Sequence, residues 1–308
     1  MRRRKSTILV AVIVTTGLLT AMAVMLARDV SSSLNLTRVA CDRVRVYAQL
    51  RQGLVAGVQE LVTDSNAYDS RIDSWARLDQ VRVTDEQARI NINEASLPIL
   101  EELLIEAGIE RTKERAAALA AWRGDQESEQ VPEEAFDYYR RGYECKRSPF
   151  ESVYELELVK EFDTVPADRL ETFKRLITVY GNGRININTV EADVLSVLIR
   201  GYARELNVGR RINAGGIAER VTAFPVNEEQ VFVHPSQLVS RAAEILDSAE
   251  LTPELTVVLQ AMQGRLTSES DVFRLEALQQ NAGDGYPAMG MTWVFDRVRN
   301  RVLFHHQR

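Results

Sequence analysis

The phrase ARININEAS at residues 88–96 returns, little changed, as GRININTVE at residues 183–191. In each copy Ile alternates with Asn, and a small-residue step leads into an apolar run. Aligned on Arg89 and Arg184, the sixteen positions Arg89–Leu104 share seven identities with Arg184–Ile199, among them Leu100 with Leu195 and Leu103 with Leu198. The agreement points to an internal duplication, or to convergence on one way of starting a helix. The alternating Ile residues predict a short extended lead-in with inward-facing side chains. An Asn oxygen accepts from the orphaned N–H groups of a first helical turn, so Asn93 and Asn188 are predicted helix caps. Glu191, three residues after Asn188, completes an approximate capping box; Asn93 with Ser96 and Pro98 gives a looser one. Asn91 and Asn186 are expected to bond neighbouring backbone.

Upstream, Arg2, Arg3, Arg4 and Lys5 precede an uncharged run from Ile8 to Leu26 that includes Val10, Ile13 and Leu18. Nineteen residues at about 1.5 Å each span about 28 Å, the thickness of a bilayer's hydrocarbon core. The run is longer than the apolar region of a secretory signal, usually about 7–15 residues. A retained single span is therefore the favoured reading and a cleaved signal the competing one. The leading cations place the N-terminus in the cytoplasm, and the rest of the chain is exported.

The apolar run passes without a break into Val30, Leu34, Val39, Val46, Leu50, Leu54, Val58 and Leu61, spaced mostly by three and four residues. One long helix, half in lipid and half packed on a domain, is predicted, ended by TDSNAYDS at 63–70. Gly53 and Gly57 are its soft points after the membrane. RIDSWARLDQVRVTDEQARI reads as one or two brief strands, and residues 94–180 and 190–263 read as mostly helical. At the C-terminus DVFRLEALQQ and MTWVFDRVRNRVLFHH predict two antiparallel strands with a loop between them. The expected architecture is α+β. Residues 1–28 form the leader and span, and 29–88 the exported half-helix and first strands. Residues 89–265 form a helical insertion of two parts, about 89–180 and 183–263, and 266–308 supply the closing strands.

The composition argues against several chemistries. Without the four leading cations, 34 basic side chains face 44 acidic ones, a poor surface for a polyanion. The first copy nevertheless continues into a Gly108-Ile109 hairpin and a second helix, the outline of a helix-hairpin-helix module. Such hairpins offer backbone amides to phosphates, but Glu106, Glu110 and Glu114 crowd this one. No similar hairpin is read after the second copy. A membrane-tethered DNA-binding protein is thus the alternative function, with no nucleic-acid partner expected. No HExxH, GxSxG, GxxxxGK[ST] or CxxC occurs, and His234 in VFVHPSQL reads as a strand or turn residue. Cys41 and Cys145 are read as free thiols, with a disulfide between them the other option in an oxidising compartment.

The ordered set of features resembles the K-type minor pseudopilins of bacterial type II secretion systems over nearly the whole chain. The matching stretches are the basic leader with its apolar helix, DEQARININEAS, LAAWRGDQE, RSPFESVYELELV, GRININTVEADVLSVLI and SESDVFRLEAL. The resemblance implies a pilin-like long helix and antiparallel sheet carrying a large insertion with two helix-hairpin-helix-like segments. It implies no enzymatic activity. It also implies a place at the tip of a periplasmic pseudopilus, starting or capping its assembly, with I- and J-type minor pseudopilins and the major pseudopilin as partners and secreted proteins as further contacts. The expected location is the inner membrane, spanned once. Family precursors are cut after a Gly before the apolar helix; here Lys5-Ser6 stands at that junction. With Ser6 first, the fifth residue is Val10, where most pilin-like subunits carry Glu. Members of the family bind calcium in an acidic loop after a Trp, which here implicates Asp125, Glu127, Glu134 and Asp137.

Overall fold

The computed structural model describes residues 2–125, 133–208, 212–225, 227–248, 250–279 and 289–307, the side chains of residues 2–8, 133, 136 and 140 excepted. Helix α1 runs from Arg2 to Thr63 without a Pro to break it. Its last third buries Val46, Leu50, Leu54 and Leu61, one stripe at three- and four-residue steps. That stripe lies on a four-stranded antiparallel sheet in the order β1 (Arg82–Asp85), β6 (Val272–Gln279), β7 (Met289–Asp296) and β8 (Arg301–Gln307). Phe273, Leu275, Ala277, Met291 and Phe295 complete this core with Trp75, whose ring meets that of Phe273 edge-on at 5.1 Å. Gly53 and Gly57 are points of close approach rather than soft points. A Cβ on Gly57 would lie 2.8 Å from Leu275 Cδ2, and one on Gly53 3.0 Å from Val81 Cγ2.

Among the described residues the C-terminal region holds three strands, not two. MTWVFDRVRNRVLFHH is itself a hairpin, because Asp296 accepts the Arg299 N–H at 2.8 Å and Asn300 takes φ +48° to reverse the chain. Asn tolerates that left-handed conformation better than most residues.

Between β1 and β6, which pair with each other, the chain makes its long excursion. It consists of two closed units. In the first, β2 (Ile90–Asn91) leads to α2 (Leu97–Glu106), α3 (Thr112–Arg123) and α4 (Ala167–Leu176), then returns as β3 (Ile177–Thr178) parallel to β2. In the second, β4 (Ile185–Asn186) leads to α5 (Ala192–Glu205), α6 (Ala214–Ala223), the short α7 (Gln237–Ser240) and α8 (Ala242–Ile245), and α9 (Pro253–Met262). It then returns as β5 (Leu266–Thr267) parallel to β4. The Ile92 N–H donates to the Thr178 carbonyl at 2.9 Å, and the Ile187 N–H to that of Thr267 at 3.0 Å. The units share one apolar core built on Leu100, Leu103, Leu104, Leu195, Leu198 and Ile199, separate from the core under the sheet. Gly201 lets α5 close on α2, since a Cβ there would fall 2.6 Å from Ile99 Cγ1.

Two local expectations change. PEEAFDYYRRGY and SVYELELVKEF form 3-10 turns (Glu133–Phe136, Tyr139–Arg141 and Val153–Leu158) rather than α-helices. Gly142 and Arg147, at φ +75° and +51°, interrupt the helical path between them. The second unit does contain a hairpin. Val208 N–H reaches back five residues to the Ala203 carbonyl, as Ile109 N–H does to Leu104. Asn207 (φ +52°) does there what Gly108 (φ +68°) does in the first. Helix α5 is about one turn longer than α2, which displaced the motif beyond the expected position.

Candidate assembly site

From Leu9 to Arg38, α1 is a bare helix. Val10, Ile13, Leu18 and Leu26 are each 57–66% exposed, and so beyond them are Val30 (50%), Leu34 (64%), Leu36 (69%) and Val44 (69%). Among the described residues this is the helix long and apolar enough to cross a membrane. The side chains of Lys5, Ser6 and Ile8 lie outside the described atoms. Thr15, Thr16 and Thr20 turn their hydroxyls onto the carbonyls of Ala11, Val12 and Thr16 at 2.7–3.0 Å, leaving no polar group that needs water.

The repeated asparagines hold the insertion together, and none of them caps a helix. Ser96 and Glu191 occupy the positions before α2 and α5, and neither side chain bonds the helix. Asn93 instead grips the backbone of Phe150: its Oδ1 accepts the Phe150 N–H at 2.7 Å and its Nδ2 donates to the Phe150 carbonyl at 2.9 Å. Asn188 makes the same pair of bonds with Phe232, both at 2.9 Å. A primary amide presents one acceptor and one donor side by side, the complement of one residue's N–H and C=O. Asn91 and Asn186 have another shared role. Each accepts the N–H two residues on, from Asn93 at 2.9 Å and Asn188 at 3.0 Å. Asn91 Nδ2 then reaches the Tyr180 and Gly181 carbonyls, and Asn186 Nδ2 the Asp69 carbonyl and Ser270 Oγ. The complete capping box in the described structure is Ser152 with Glu155, whose S-x-x-E spacing was readable in the sequence.

Insertion and sheet meet through polar contacts. Asp85 accepts from Thr189 Oγ1 at 2.5 Å, Ser270 Oγ at 2.6 Å and the Gln87 N–H at 2.7 Å. Burial pushes its carboxyl up to about 6, against the pull of those donors. Burial also works on the neighbouring Glu86, but Arg89 and Arg274 outweigh it and hold that group below its usual range. Asp69, 1% exposed, is raised by burial and is held by Arg297 in a bidentate pair at 2.8 and 2.7 Å. No sequence pattern marked Asp85, Thr189, Ser270 or Arg297 as partners, since they stand more than a hundred residues apart in most pairings.

Other expected residues are not drawn together. Asp125 is paired with Arg123 at 2.9 Å, and Asp137 accepts the Tyr139 N–H at 3.1 Å. Lys160 reaches the Glu134 backbone carbonyl rather than its carboxylate. Glu127 lies outside the described residues. Among the described residues these carboxylates do not converge as calcium ligands; the carboxylates that do approach one another are Asp64, Asp69 and Asp73, at the end of α1. Cys41 is exposed on α1 and Cys145 buried in the insertion, both as free thiols, so the disulfide option is set aside. Cys145 Sγ sits 3.4 Å from the Ala121 carbonyl, and burial raises its pKa. His234 is exposed and bonds Ser236 at 2.8 Å. In the first hairpin the Gly108 and Ile109 amides are spent on the Ile105 and Leu104 carbonyls, which leaves them unavailable to phosphates.

A long N-terminal helix on a small antiparallel sheet, with a helical excursion between two of its paired strands, is an α+β pilin-like fold. The same fold occurs in a chain of the GspK–GspI–GspJ complex from the enterotoxigenic Escherichia coli type 2 secretion system. The TM-score is 0.54 and the identity 17%, and the match covers 86% of this chain and 99% of that one. No protein-family model and no curated protein matches the sequence.

Proposed function

We propose that this chain is a K-type minor pseudopilin, a non-enzymatic subunit at the tip of a type II secretion pseudopilus that starts or caps its assembly. Its partners in this reading are I- and J-type minor pseudopilins and, below them, the major pseudopilin, with secreted proteins as further contacts. Residues 8–26 anchor it once in the inner membrane, N-terminus in the cytoplasm, and any processing falls at Lys5-Ser6. The observation that carries the reading is α1. Its apolar face continues uncovered from Leu26 through Val44, past the length a bilayer needs, and packing against helices of neighbouring subunits would cover it. The shared fold with a chain of a secretion-system complex supports the same assignment. Val10 suits a terminal subunit, because a buried carboxylate with no neighbouring N-terminus to pair with costs several kcal/mol. Co-expression with the pilin-like subunits encoded in the same genome tests the proposal. A stable complex retained through purification is expected, and Leu34→Asp with Val44→Asp should weaken it. Failure to form any complex with those subunits would overturn it.

A further inference from the structure

Beside the junction of sheet and insertion lies a cleft of about 370 Å³ lined by Arg71, Arg82, Arg89 and Arg175. Arg89 is paired with Glu86 at 3.1 Å, a carboxylate it shares with Arg274. Arg71 is not: its guanidinium donates to the Thr189 and Val190 carbonyls, both at 2.8 Å, which are uncharged acceptors. The side chains of Arg82 and Arg175 are exposed and make no hydrogen bond or ion pair with any described residue. Of the two carboxylates lining the cleft, Asp85 is spent on Thr189 and Ser270; this leaves Glu191, and Glu276 opposite Arg82 in the β1–β6 register but not ion-paired with it, against three guanidinium groups. In a chain of net charge −6 such a concentration of cations is an exception to the general surface. Like charges held together in one concavity repel one another until an anion enters. Planar guanidinium forks match carboxylates in a bidentate geometry that lysines do not reproduce.

We propose that this cleft is a docking site for an acidic peptide segment of a protein partner, its carboxylates seated on Arg82 and Arg175 with Arg71 beside them. Lipid headgroups do not reach it. From Leu26, the end of the apolar run, to Thr63 the helix is continuous; at about 1.5 Å per residue the sheet begins, at Val46, about 30 Å beyond the membrane surface, and Val83 of the cleft, which lies beside Gly57, about 45 Å beyond it. The site rests on charge and geometry, and it stands whether or not the chain enters a pseudopilus.

The test uses the full-length chain in detergent and a fluorescently labelled hexaglutamate peptide, followed by anisotropy. Saturable binding that weakens with added salt is expected, as is a loss of about tenfold or more in affinity for Arg82→Ala with Arg175→Ala at unchanged Tm. The double Arg→Lys variant, which keeps the charge but not the fork, should fall between the two. Arg43→Ala with Arg45→Ala, on the exposed face of α1, should bind as the parent does. Absence of saturable binding, or an equal loss in the α1 variant, would overturn the site. Preferential binding of inorganic phosphate, or of a single-stranded oligonucleotide of equal charge, would overturn the assignment to an acidic peptide.

Discussion

Replacing Asn188 tests the clamp directly. Asn188 is 4% exposed, and both its amide atoms are bonded to the backbone of Phe232, itself fully buried. Asn188→Ala leaves a buried N–H and a buried C=O without partners, at about 1–3 kcal/mol each. A total of about 2–4 kcal/mol is expected after some relaxation. Asn93 makes the equivalent bonds to Phe150 but is only half-buried, so water replaces part of what is lost. Asn93→Ala should therefore cost about 1–2 kcal/mol. At about 2–4 °C per kcal/mol for a unit of this size, Asn188→Ala lowers the melting transition followed by circular dichroism by roughly 4–16 °C. Aspartate separates the clamp from a helix cap. A cap tolerates Asn→Asp, and the helix dipole even favours it. At the clamp, the introduced side chain would turn a carboxylate oxygen toward the Phe232 carbonyl, so Asn188→Asp should be as damaging as alanine. Wild-type stability in Asn188→Asp would refute the clamp, and so would a larger cost at Asn93 than at Asn188.

Gly201→Ala should destabilise the insertion by about 1–2 kcal/mol, because overpacking against Ile99 outweighs the gain of about 1 kcal/mol from removing a helical glycine; an unchanged denaturant midpoint would contradict the close α2–α5 approach. Asp85 titrates near 6 in the folded chain against 3.8 for the free group, so the folded state holds a proton that the unfolded state has lost. Its stabilising contribution is complete below 3.8 and disappears as the pH rises through about 6. At 1.36 kcal/mol per pH unit the difference is on the order of 3 kcal/mol. Asp85→Asn should therefore gain on the parent between pH 4 and pH 7.5, whereas a pH-independent difference in urea midpoints would count against the shift. A thiol reagent should label Cys41 in the native protein and Cys145 only after denaturation, and mass spectrometry of the digested chain would show equal labelling if the burial of Cys145 were wrong.

The long apolar N-terminal helix, the packing stripe of α1 and the existence of helices α2 and α5 were legible in the sequence because each rests on local periodicity. Apolar residues at three- and four-residue steps have one way to be buried, and nineteen uncharged residues have one length. The repeat was legible too, since RININ is a string. What RININ does was not. Asn93 and Asn188 have helix N-termini within four residues of them, and propensity favours the cap. Each amide is instead satisfied by a backbone 57 or 44 residues away, brought to it by the folding of its own unit. The second hairpin carries no glycine signal, because Asn207 takes the place of a glycine at the end of a longer helix. The junction around Asp85 and the arginine cleft beside it left no trace in spacing, for their members come from β1, the Thr189 turn, α4 and the residues before β6. Local pattern fixes which segments are helix, strand or long apolar run. Which polar side chains find one another depends on the closure of two units between a pair of strands, because hydrogen bonds and charges respond to distance in space and not to separation along the chain.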